Sequence, residues 1–517
     1  MTSVEVTGRV PASRAARYRS ERLWDDRDLA DGIEAAAARK PGAVALVDNE
    51  RRLTYAELER MVTAAVPAAR ARATGAVLVA GNTAEGVIAY HAFLRAGVTV
   101  VLLDRRCGPA DVRHALAVLP RGAPVVVPVA EQERLLAGLA VDAIALERFG
   151  APPRAPATRT WAEPDRDVAA VVMFTSGTTS TPKGVAHSIN TLTAGANNMA
   201  RIMTATDADV LFLVSPLTSI TGVMQMHLAA DRHACLVLED HFDADTAYDR
   251  LNVAGATLLG GAPVIVERLL RAAERRGTRH ITLRALALGG AMLPRPVLEL
   301  ATDGFGIEIA RVYGSSEAPN FSGSAPGDDR ERRLSDDGVL MPGSEVRVGS
   351  AGDAREGMLR GPGVFLGYVD AAHNAAAFED EWYRTGDLVE LHGERLTVSG
   401  RLQEVVNRNG LKISLAEVDA ALTSLPGAIE HAAFGVPDAD TGERLAVAVF
   451  GEEGTVPTLA GVVAHLRAQG LATRKLPEEL VVWDGPLPRT PSGKVVRSRL
   501  VMEAPGKRAE QASRLSS

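Results

Sequence analysis

An apolar run that turns abruptly into small hydroxyl residues is the strongest constraint on this chain. Residues 168–174 are apolar throughout, and residues 175–179 contain only Thr, Ser and Gly, with Pro182, Lys183 and Gly184 closing the segment. The first run predicts a buried strand, and the second predicts a loop that offers N–H groups, hydroxyls and a positive charge to an anion. The segment departs from a Walker loop, because Pro182 replaces its second glycine and Gly184 replaces its Ser or Thr. We therefore predict a polyphosphate-binding loop and disfavour a flexible surface linker.

Length and composition narrow the class of protein. The chain has 517 residues, 46% of them hydrophobic and 23% charged, and a net charge of −7. These values predict roughly two to four soluble domains and disfavour a nucleic-acid partner. Cys107 and Cys235 are too few for a disulfide framework or a zinc cluster. The sequence contains neither a membrane-length apolar run nor a secretory signal. We expect a cytoplasmic protein without a membrane partner, a disordered lead-in over residues 1–20 and a solvated tail over residues 503–517.

Alternating helix and strand patterns predict an α/β fold with parallel sheets. The pattern covers two subdomains, about 20–160 and 168–335, and Thr54 with Glu57 forms a predicted capping box. Residues 336–400 contain short β runs and glycine turns that are compatible with a small β-barrel. The predicted N-terminal domain is thus 1–400, and residues 401–517 are predicted to form a smaller α+β domain.

Several strands end in turns rich in Gly, Ser and Thr, and ligands of open α/β sheets lie at the carboxyl ends of strands. Tyr313 to Glu317 supplies an aromatic ring, hydroxyls and a carboxylate that could hold Mg²⁺, although an ordinary turn is an equal alternative. Asp387 could accept ribose hydroxyls or simply close a turn. Arg401 lies at a predicted domain boundary, where a hinge can rotate. Lys494, on a Pro/Ser/Gly loop, could enter a cleft or remain solvated.

Six motifs in one order carry a family resemblance. They are TSGTTSTPKG, YGSSE, RGPGVFLGY, YRTGDL, GRLQEVVNRNG and PRTPSGK, at residues 175–184, 313–317, 360–368, 383–388, 400–410 and 488–494. Together they closely resemble the adenylate-forming superfamily: acyl- and aryl-CoA synthetases, nonribosomal-peptide adenylation domains and firefly-luciferase-like enzymes. The resemblance implies a large N-terminal domain of two α/β subdomains plus a β-barrel, and a small mobile C-terminal α+β domain.

The resemblance also implies a role for each matching residue. The β- and γ-phosphates of ATP would be cradled by Thr175, Ser176, Gly177, Thr178, Thr179 and Lys183. The adenine would lie against Gly289, Gly290, Ala291 and Tyr313. Ser316 would contact the α-phosphate, Glu317 the Mg²⁺, and Asp387 with Arg401 the ribose. Lys494 would bridge the substrate carboxylate and the α-phosphate, Gln403 would be the hinge, and Gly410 would lie on the face used for thioester formation.

The implied reaction activates a carboxylic acid as an acyl-adenylate, releases pyrophosphate and forms a thioester with CoA. An alternative is a stand-alone adenylating enzyme that loads a carrier-protein phosphopantetheine. Two further alternatives are a nucleotide-binding protein without turnover and a kinase-like phosphotransferase. Lys494 and Glu317 argue against the first. The second would release ADP, so detection of AMP and pyrophosphate would exclude it.

Three positions depart from the family pattern. Ser180 replaces a loop glycine, Gln403 stands where Asp or Lys is commoner, and residues 216–222 lack the family's frequent histidine or aromatic residue. The expected pocket residues are small or apolar: Thr218, Ser219, Gly222, Val223, Ala262 and Val339. It contains no aspartate to pair an α-amino group. We therefore expect a fatty, alicyclic or aromatic acid and disfavour an amino acid.

Overall fold

A computed structural model describes most of the chain. The described residues are 10–27, 29–70, 75–152, 164–175, 182–289, 295–351, 353–402, 404–408, 411–438, 442–452, 454–490 and 494–512. The chain forms two compact units. The first unit comprises residues 1–290, 295–346 and 359–383, and the second comprises 291–294, 347–358 and 384–517. The domain boundary that we placed at residue 400 stays a prediction.

Helices and strands alternate over most of the chain. The helices are α1 (Ala12–Ser20), α2 (Leu29–Arg39), α3 (Tyr55–Arg70), α4 (Ala84–Ala96), α5 (Pro109–Ala117), α6 (Val129–Leu136), α7 (Ile189–Ile202), α8 (Ile220–Arg232), α9 (Ala244–Val253), α10 (Pro263–Arg275), α11 (Arg295–Glu299), α12 (Arg330–Ser335), α13 (Ala371–Ala377), α14 (Leu415–Ala421), α15 (Leu459–Ala468) and α16 (Arg497–Glu503). The strands are β1 (Val44–Val47), β2 (Arg52–Thr54), β3 (Gly75–Ala80), β4 (Thr99–Asp104), β5 (Val125–Val127), β6 (Ala143–Ala145), β7 (Val171–Thr175), β8 (Lys183–His187), β9 (Val210–Leu213), β10 (Cys235–Leu238), β11 (Leu258–Gly261), β12 (Ala285–Gly289), β13 (Glu308–Tyr313), β14 (Ser322–Gly323), β15 (Val339–Leu340), β16 (Glu345–Val348), β17 (Glu356–Arg360), β18 (Gly367–Tyr368), β19 (Phe378–Glu379), β20 (Trp382–His392), β21 (Arg395–Arg401), β22 (Val405–Arg408), β23 (Leu411–Ser414), β24 (Glu430–Asp438), β25 (Gly442–Phe450), β26 (Glu479–Val482) and β27 (Arg508–Gln511).

Two mainly parallel sheets form the first unit. One has the order β18-β8-β7-β4-β3-β5-β6, and the other runs β15-β14-β13-β12-β11-β9-β10-β1-β2. Strands β3 and β4 are buried along almost their whole length, as parallel strands covered by helices on both faces should be. The predicted α/β class is thus confirmed. Within the first unit, the candidate site residues follow strands of these two sheets.

The predicted capping box at the start of α3 is confirmed. The Thr54 N–H donates to Glu57 Oε2 over 2.8 Å, and the Glu57 N–H donates to Thr54 Oγ1 over 3.3 Å. These reciprocal bonds satisfy N–H groups that the first helical turn leaves without a partner, so the local sequence alone defines the start of this helix.

The predictions of a disordered lead-in over residues 1–20 and a solvated tail over residues 503–517 are partly wrong. Residues 12–20 form α1, in which Tyr18 is completely buried, and the Trp24 indole nearby donates to the Pro362 carbonyl over 3.0 Å. Near the other end, β27 pairs antiparallel with β26. Both segments are mostly polar and gain their structure from tertiary contacts, which local hydrophobic patterning does not show.

The second unit contains a six-stranded sheet of order β23-β22-β25-β26-β27, with β24 paired to β25. Its apolar core includes Val447, Val462 and Leu480, all fully buried. The mixed α and β composition agrees with the predicted C-terminal class. In the described part of the whole chain, no helix combines the length and the apolar character needed to cross a membrane.

Candidate functional site

The predicted phosphate loop connects two paired strands. Thr175, the last residue of β7, lies opposite Lys183, the first residue of β8, in an antiparallel pair. The described ends of the loop are therefore held side by side. The loop residues Ser176, Gly177, Thr178, Thr179 and Ser180 lie outside the described residues, so their predicted contacts with phosphates stay predictions.

Strand β8 presents two polar side chains on one face. Lys183 and His187 are four residues apart, and side chains alternate between faces along a strand, so both share the face of Val185. Tyr368 of β18 lies directly opposite Val185. The Lys183 ammonium nitrogen is 5.2 Å from the centroid of the Tyr368 ring, within the range of a cation–π contact.

The turn that follows β13 positions Glu317. The Ser315 hydroxyl oxygen accepts the N–H groups of Glu317 and Ala318 over 3.2 and 3.3 Å, and the Ser315 N–H donates to the Ala318 carbonyl over 3.2 Å. The Phe365 N–H donates to the Glu317 carbonyl over 2.7 Å. These bonds fix the backbone of Glu317, and the residue is only 8% exposed, so its side chain is largely withdrawn from solvent.

Tyr368 joins this carboxylate to the phosphate-loop strand. Its phenol donates to Glu317 Oε1 over 2.7 Å, while its ring lies next to the Lys183 ammonium. Burial, together with the negative charge of Glu317, raises the pKa of Tyr368, so the phenol remains a donor. Tyr368 ends the motif at residues 360–368, whose pattern alone predicts no role for this residue.

His187 holds the neighbouring backbone. Its Nε2 lies 2.7 Å from the Ser316 carbonyl oxygen, and its Nδ1 lies 3.0 Å from Thr191 Oγ1. Because a carbonyl only accepts, Nε2 carries the proton. Burial lowers the pKa of His187 to about 4, so the imidazole is neutral at physiological pH. The Ser316 and Glu317 turn is thus attached to β8 at His187 as well as through Tyr368.

The predicted adenine-side residues lie on adjacent strands. Gly289 ends β12 opposite Val312 of β13, and Tyr313 is the next residue of β13. A Cβ atom at position 289 would lie 2.1 Å from the Val312 carbonyl oxygen, so only glycine fits there. Tyr313 packs against the cluster that contains Tyr368. Gly290 and Ala291 lie outside the described residues.

Four residues of the predicted acid pocket surround the start of α8. The Ser219 hydroxyl donates to the Pro216 carbonyl over 2.7 Å and accepts the Gly222 N–H over 3.2 Å, which caps the helix. A Cβ at Gly222 would lie 2.2 Å from the Pro216 carbonyl oxygen. Thr218 is 9% exposed and Val223 is fully buried. Ser219 and Gly222 therefore have structural roles, whatever they do for a substrate.

The other two predicted pocket residues belong to the same unit. Ala262 immediately precedes α10, and Val339 lies in β15 and packs on the main apolar core. The assignment of all six residues to a substrate pocket stays a prediction.

A single carboxylate suits Mg²⁺ that is delivered with a nucleotide. Within the described ranges, no group of three or more His, Cys, Asp or Glu side chains could form a metal cage. Protein-bound Mg²⁺ commonly uses one or two carboxylates together with substrate phosphates and water. Glu317 fits this mode, because Tyr368 holds Oε1, and no hydrogen bond to Oε2 occurs among the described residues.

In the second unit, the two predicted ribose residues pair with each other. Asp387 of β20 lies opposite Arg401 of β21, and Arg401 Nε donates to Asp387 Oδ1 over 2.7 Å. The Asp387 N–H donates to Thr385 Oγ1 over 2.9 Å. Asp387 is 3% exposed, whereas about half of the Arg401 side chain is exposed. The carboxylate is therefore oriented before any ligand binds.

Lys494, in the second unit, is bonded to Thr490 through the backbone and the threonine side chain. The Thr490 N–H donates to the Lys494 carbonyl over 2.7 Å, and the Lys494 N–H donates to Thr490 Oγ1 over 3.1 Å. Lys494 itself is exposed. Gln403 and Gly410, the predicted hinge and thioester-face residues, lie outside the described residues.

Arg497, to which the sequence motifs assign no role, anchors the chain three residues after Lys494. It donates to the Ala433 carbonyl over 3.1 Å and to Glu404 Oε1 over 3.0 Å, and it also bonds Asp419. Burial raises the pKa of Asp419 to about 6, although Arg497 opposes this shift. Arg497, three residues after Lys494, is thereby attached to α14 and to the segment just before β22.

Profile and sequence comparisons relate the chain to known enzymes. The profile of the AMP-binding enzyme family matches residues 33–369, and that of the AMP-binding enzyme C-terminal domain matches residues 417–494. An oxalate–CoA ligase of Arabidopsis thaliana is 30% identical over 506 residues, which cover 91% of each chain. A salicylyl-CoA synthase / salicylate adenylyltransferase of a Streptomyces species is 31% identical and covers 95% of this chain and 96% of its own.

A solved structure of a related enzyme matches the fold of this chain over most of its length. The o-succinylbenzoate CoA synthetase of Bacillus subtilis, in complex with the acyl-adenylate intermediate OSB-AMP, superposes with a TM-score of 0.78 at 25% identity. The match covers 93% of this chain and 99% of the synthetase.

Proposed function

The chain belongs to the AMP-binding enzyme family, and on that premise we propose that it is an ATP-dependent, AMP-forming acid–CoA ligase. The single observation that supports this best is the assembly of Lys183, Tyr368 and Glu317 at the exit of the phosphate loop. It places a cation for phosphate oxygens close to a buried carboxylate that suits a phosphate-bound Mg²⁺.

In the proposed first half-reaction, an oxygen of the substrate carboxylate attacks the α-phosphorus of ATP. A phosphorus–oxygen bond forms, and the bond to the bridging oxygen breaks, which releases pyrophosphate. Two anions must meet in line, so positioning and charge neutralisation account for most of the catalysis. Mg²⁺, when bound, would neutralise negative charge on the phosphates. Lys183 would bind the departing pyrophosphate, and Lys494 would stabilise the charge at the carboxylate and the α-phosphate.

In the proposed second half-reaction, the thiol of CoA attacks the acyl carbon of the adenylate. A carbon–sulfur bond forms, the carbon–oxygen bond to AMP breaks, and the thiol proton is lost. The CoA ligases among the relatives support CoA as the acceptor. A carrier-protein phosphopantetheine has the same reacting thiol, so the assay below must separate the two acceptors.

We propose an acid with an uncharged tail as the substrate. The six predicted pocket residues are Thr218, Ser219, Gly222, Val223, Ala262 and Val339, and none of them carries a charge. The described Ser219 hydroxyl is already used to cap α8. A second carboxylate or an ammonium group on the substrate would therefore lack a partner among these residues, and burial without a partner is costly. Fatty, alicyclic and aromatic monocarboxylic acids are therefore the proposed substrates.

A panel of carboxylic acids tests the proposal. Each acid is incubated with Mg²⁺ and ATP, with and without CoA, and AMP, ADP and pyrophosphate are measured. The proposal predicts AMP and pyrophosphate with at least one uncharged-tail acid, and faster turnover with CoA. ADP as the product would indicate a phosphotransferase. Acid-dependent AMP that CoA never accelerates would favour a carrier-loading enzyme, and an amino acid as the best substrate would refute the proposed substrate class.

A further inference from the structure

Tyr368 lies between two charged side chains of the first unit, Lys183 and Glu317. Strand β18 lies beside β8, with the Val369 N–H donating to the Gly184 carbonyl and the Leu366 N–H donating to the Ala186 carbonyl, each over 2.9 Å. Tyr368 itself is 4% exposed. Its ring is therefore held rigidly against the strand that leaves the phosphate loop, and its only donor group is directed at the Glu317 carboxylate.

The two contacts of Tyr368 have different chemical consequences. The phenol fixes Glu317 Oε1 over 2.7 Å without adding positive charge, so the carboxylate keeps its full attraction for a cation. A lysine or arginine in this place would neutralise the carboxylate. The ring contacts the Lys183 ammonium, and within the described ranges Lys183 and Glu317 do not form an ion pair with each other. The two charges therefore do not neutralise each other by direct contact.

We propose that Tyr368 is a positioning residue for the magnesium-bound nucleotide, orienting the Glu317 carboxylate through its hydroxyl and the Lys183 ammonium through its ring. This inference rests on the proposed function. Tyr368 contacts neither the reacting carboxylate nor the α-phosphorus in this assignment. It acts through Glu317 and Lys183, so its effect is on nucleotide binding that depends on Mg²⁺ and precedes any reaction.

Calorimetric titration with a non-hydrolysable ATP analogue separates the two contacts. Each variant is titrated with and without Mg²⁺, in the absence of any carboxylic acid. Tyr368→Phe removes only the hydroxyl and should reduce the Mg²⁺-dependent gain in affinity by roughly 10-fold, as loss of a hydrogen-bond partner of a metal ligand usually does. Its affinity without Mg²⁺ should stay close to that of the unaltered protein. Tyr368→Leu also removes the ring and should weaken binding without Mg²⁺ by about 2- to 5-fold.

Tyr55→Phe is the matched control. Tyr55 is also a buried tyrosine, and its phenol donates to the Ala234 carbonyl over 2.8 Å. This substitution removes a hydroxyl with a backbone acceptor and no link to Glu317. Both affinities should therefore remain unchanged, which shows that loss of a buried tyrosine hydroxyl does not by itself produce the Mg²⁺ effect.

The outcomes distinguish the inference from the function on which it rests. If the unaltered protein fails to bind the analogue with Mg²⁺, the proposed function is refuted and the inference falls with it. If the unaltered protein binds and Tyr368→Phe keeps the full Mg²⁺-dependent gain, only the inference is refuted.

A second measurement avoids any folding defect of the variants. A 3-fluorotyrosine is placed at position 368, or at position 55 as the control, in the full chain saturated with the analogue. Addition of Mg²⁺ should shift the fluorine resonance at position 368 and leave that at position 55 unmoved. An unmoved resonance at position 368 would overturn the inference.

Discussion

Acid should destabilise the first unit through the buried imidazole of His187. Burial lowers the pKa of His187 to about 4, whereas an unfolded histidine titrates near pH 6.5. Below pH 6.5 the unfolded chain binds a proton that the folded chain excludes, so stability falls as the pH decreases. The contribution of this neutral imidazole to the free energy of unfolding is complete above pH 6.5 and is lost by about pH 4.

The magnitude follows from the difference between the two pKa values. A difference of about 2.5 units at ~1.36 kcal/mol per unit gives roughly 3.4 kcal/mol, lost at about 1.4 kcal/mol per pH unit between pH 6 and 4.5. His187→Gln removes the titrating ring but keeps an amide that can donate to the Ser316 carbonyl. The variant should therefore show a pH dependence that is shallower by about 1.4 kcal/mol per unit.

Equilibrium urea unfolding at several pH values between 6.5 and 4.5 measures this slope, and hydrogen exchange of the β8 peptide assigns the transition to the first unit. His280→Gln is the control, because it removes an exposed histidine ring of the same unit and leaves the buried His187 in place. An identical slope in His187→Gln and the unaltered protein would refute the assignment of His187 as a buried, neutral donor.

Three further substitutions test the rest of the account. Lys494→Ala should lower the rate of adenylate formation by about 10²- to 10³-fold in a quenched single-turnover assay, with ATP binding retained; a loss of ATP affinity alone would contradict its predicted role. Gly222→Ala places a Cβ 2.2 Å from the Pro216 carbonyl oxygen and should destabilise the first unit by about 1–3 kcal/mol; an unchanged melting temperature would show that this turn can relax. Arg497→Met removes the cation beside Asp419, whose pKa is about 6. The melting temperature of the second unit should fall by several degrees at pH 8, where Asp419 is charged, and by less at pH 5, where it is protonated. An equal fall in melting temperature at both pH values would exclude Asp419 as the cause.

Local patterns in the sequence predicted the elements that carry the site. The apolar run at residues 168–174 gave β7, and the capping box at Thr54 and Glu57 gave the start of α3. Such patterns suffice for these two elements because a continuous apolar run and a capping pair are set by residues close together in the sequence. The α/β class and the family followed from the same local features and from the order of the motifs.

Contacts between distant residues could not be read in this way. Tyr368 is separated from Glu317 by 51 positions, and nothing near either residue specifies the bond between them. Arg497 has its partners in Ala433, Glu404 and Asp419, which come from different segments of the second unit. Helix α1 was missed for a similar reason, because its polar sequence is held by the buried ring of Tyr18.

The central claim is that the carboxylate attacks the α-phosphorus, and oxygen labelling tests it most directly. The best acid of the panel is labelled with ¹⁸O in its carboxylate and turned over with Mg²⁺, ATP and CoA, and AMP and pyrophosphate are analysed by mass spectrometry. The account predicts one ¹⁸O atom in AMP and none in pyrophosphate, because the attacking oxygen stays with the α-phosphorus when the thiol displaces AMP. Labelled inorganic phosphate together with ADP would show attack at the γ-phosphorus instead and would contradict the account.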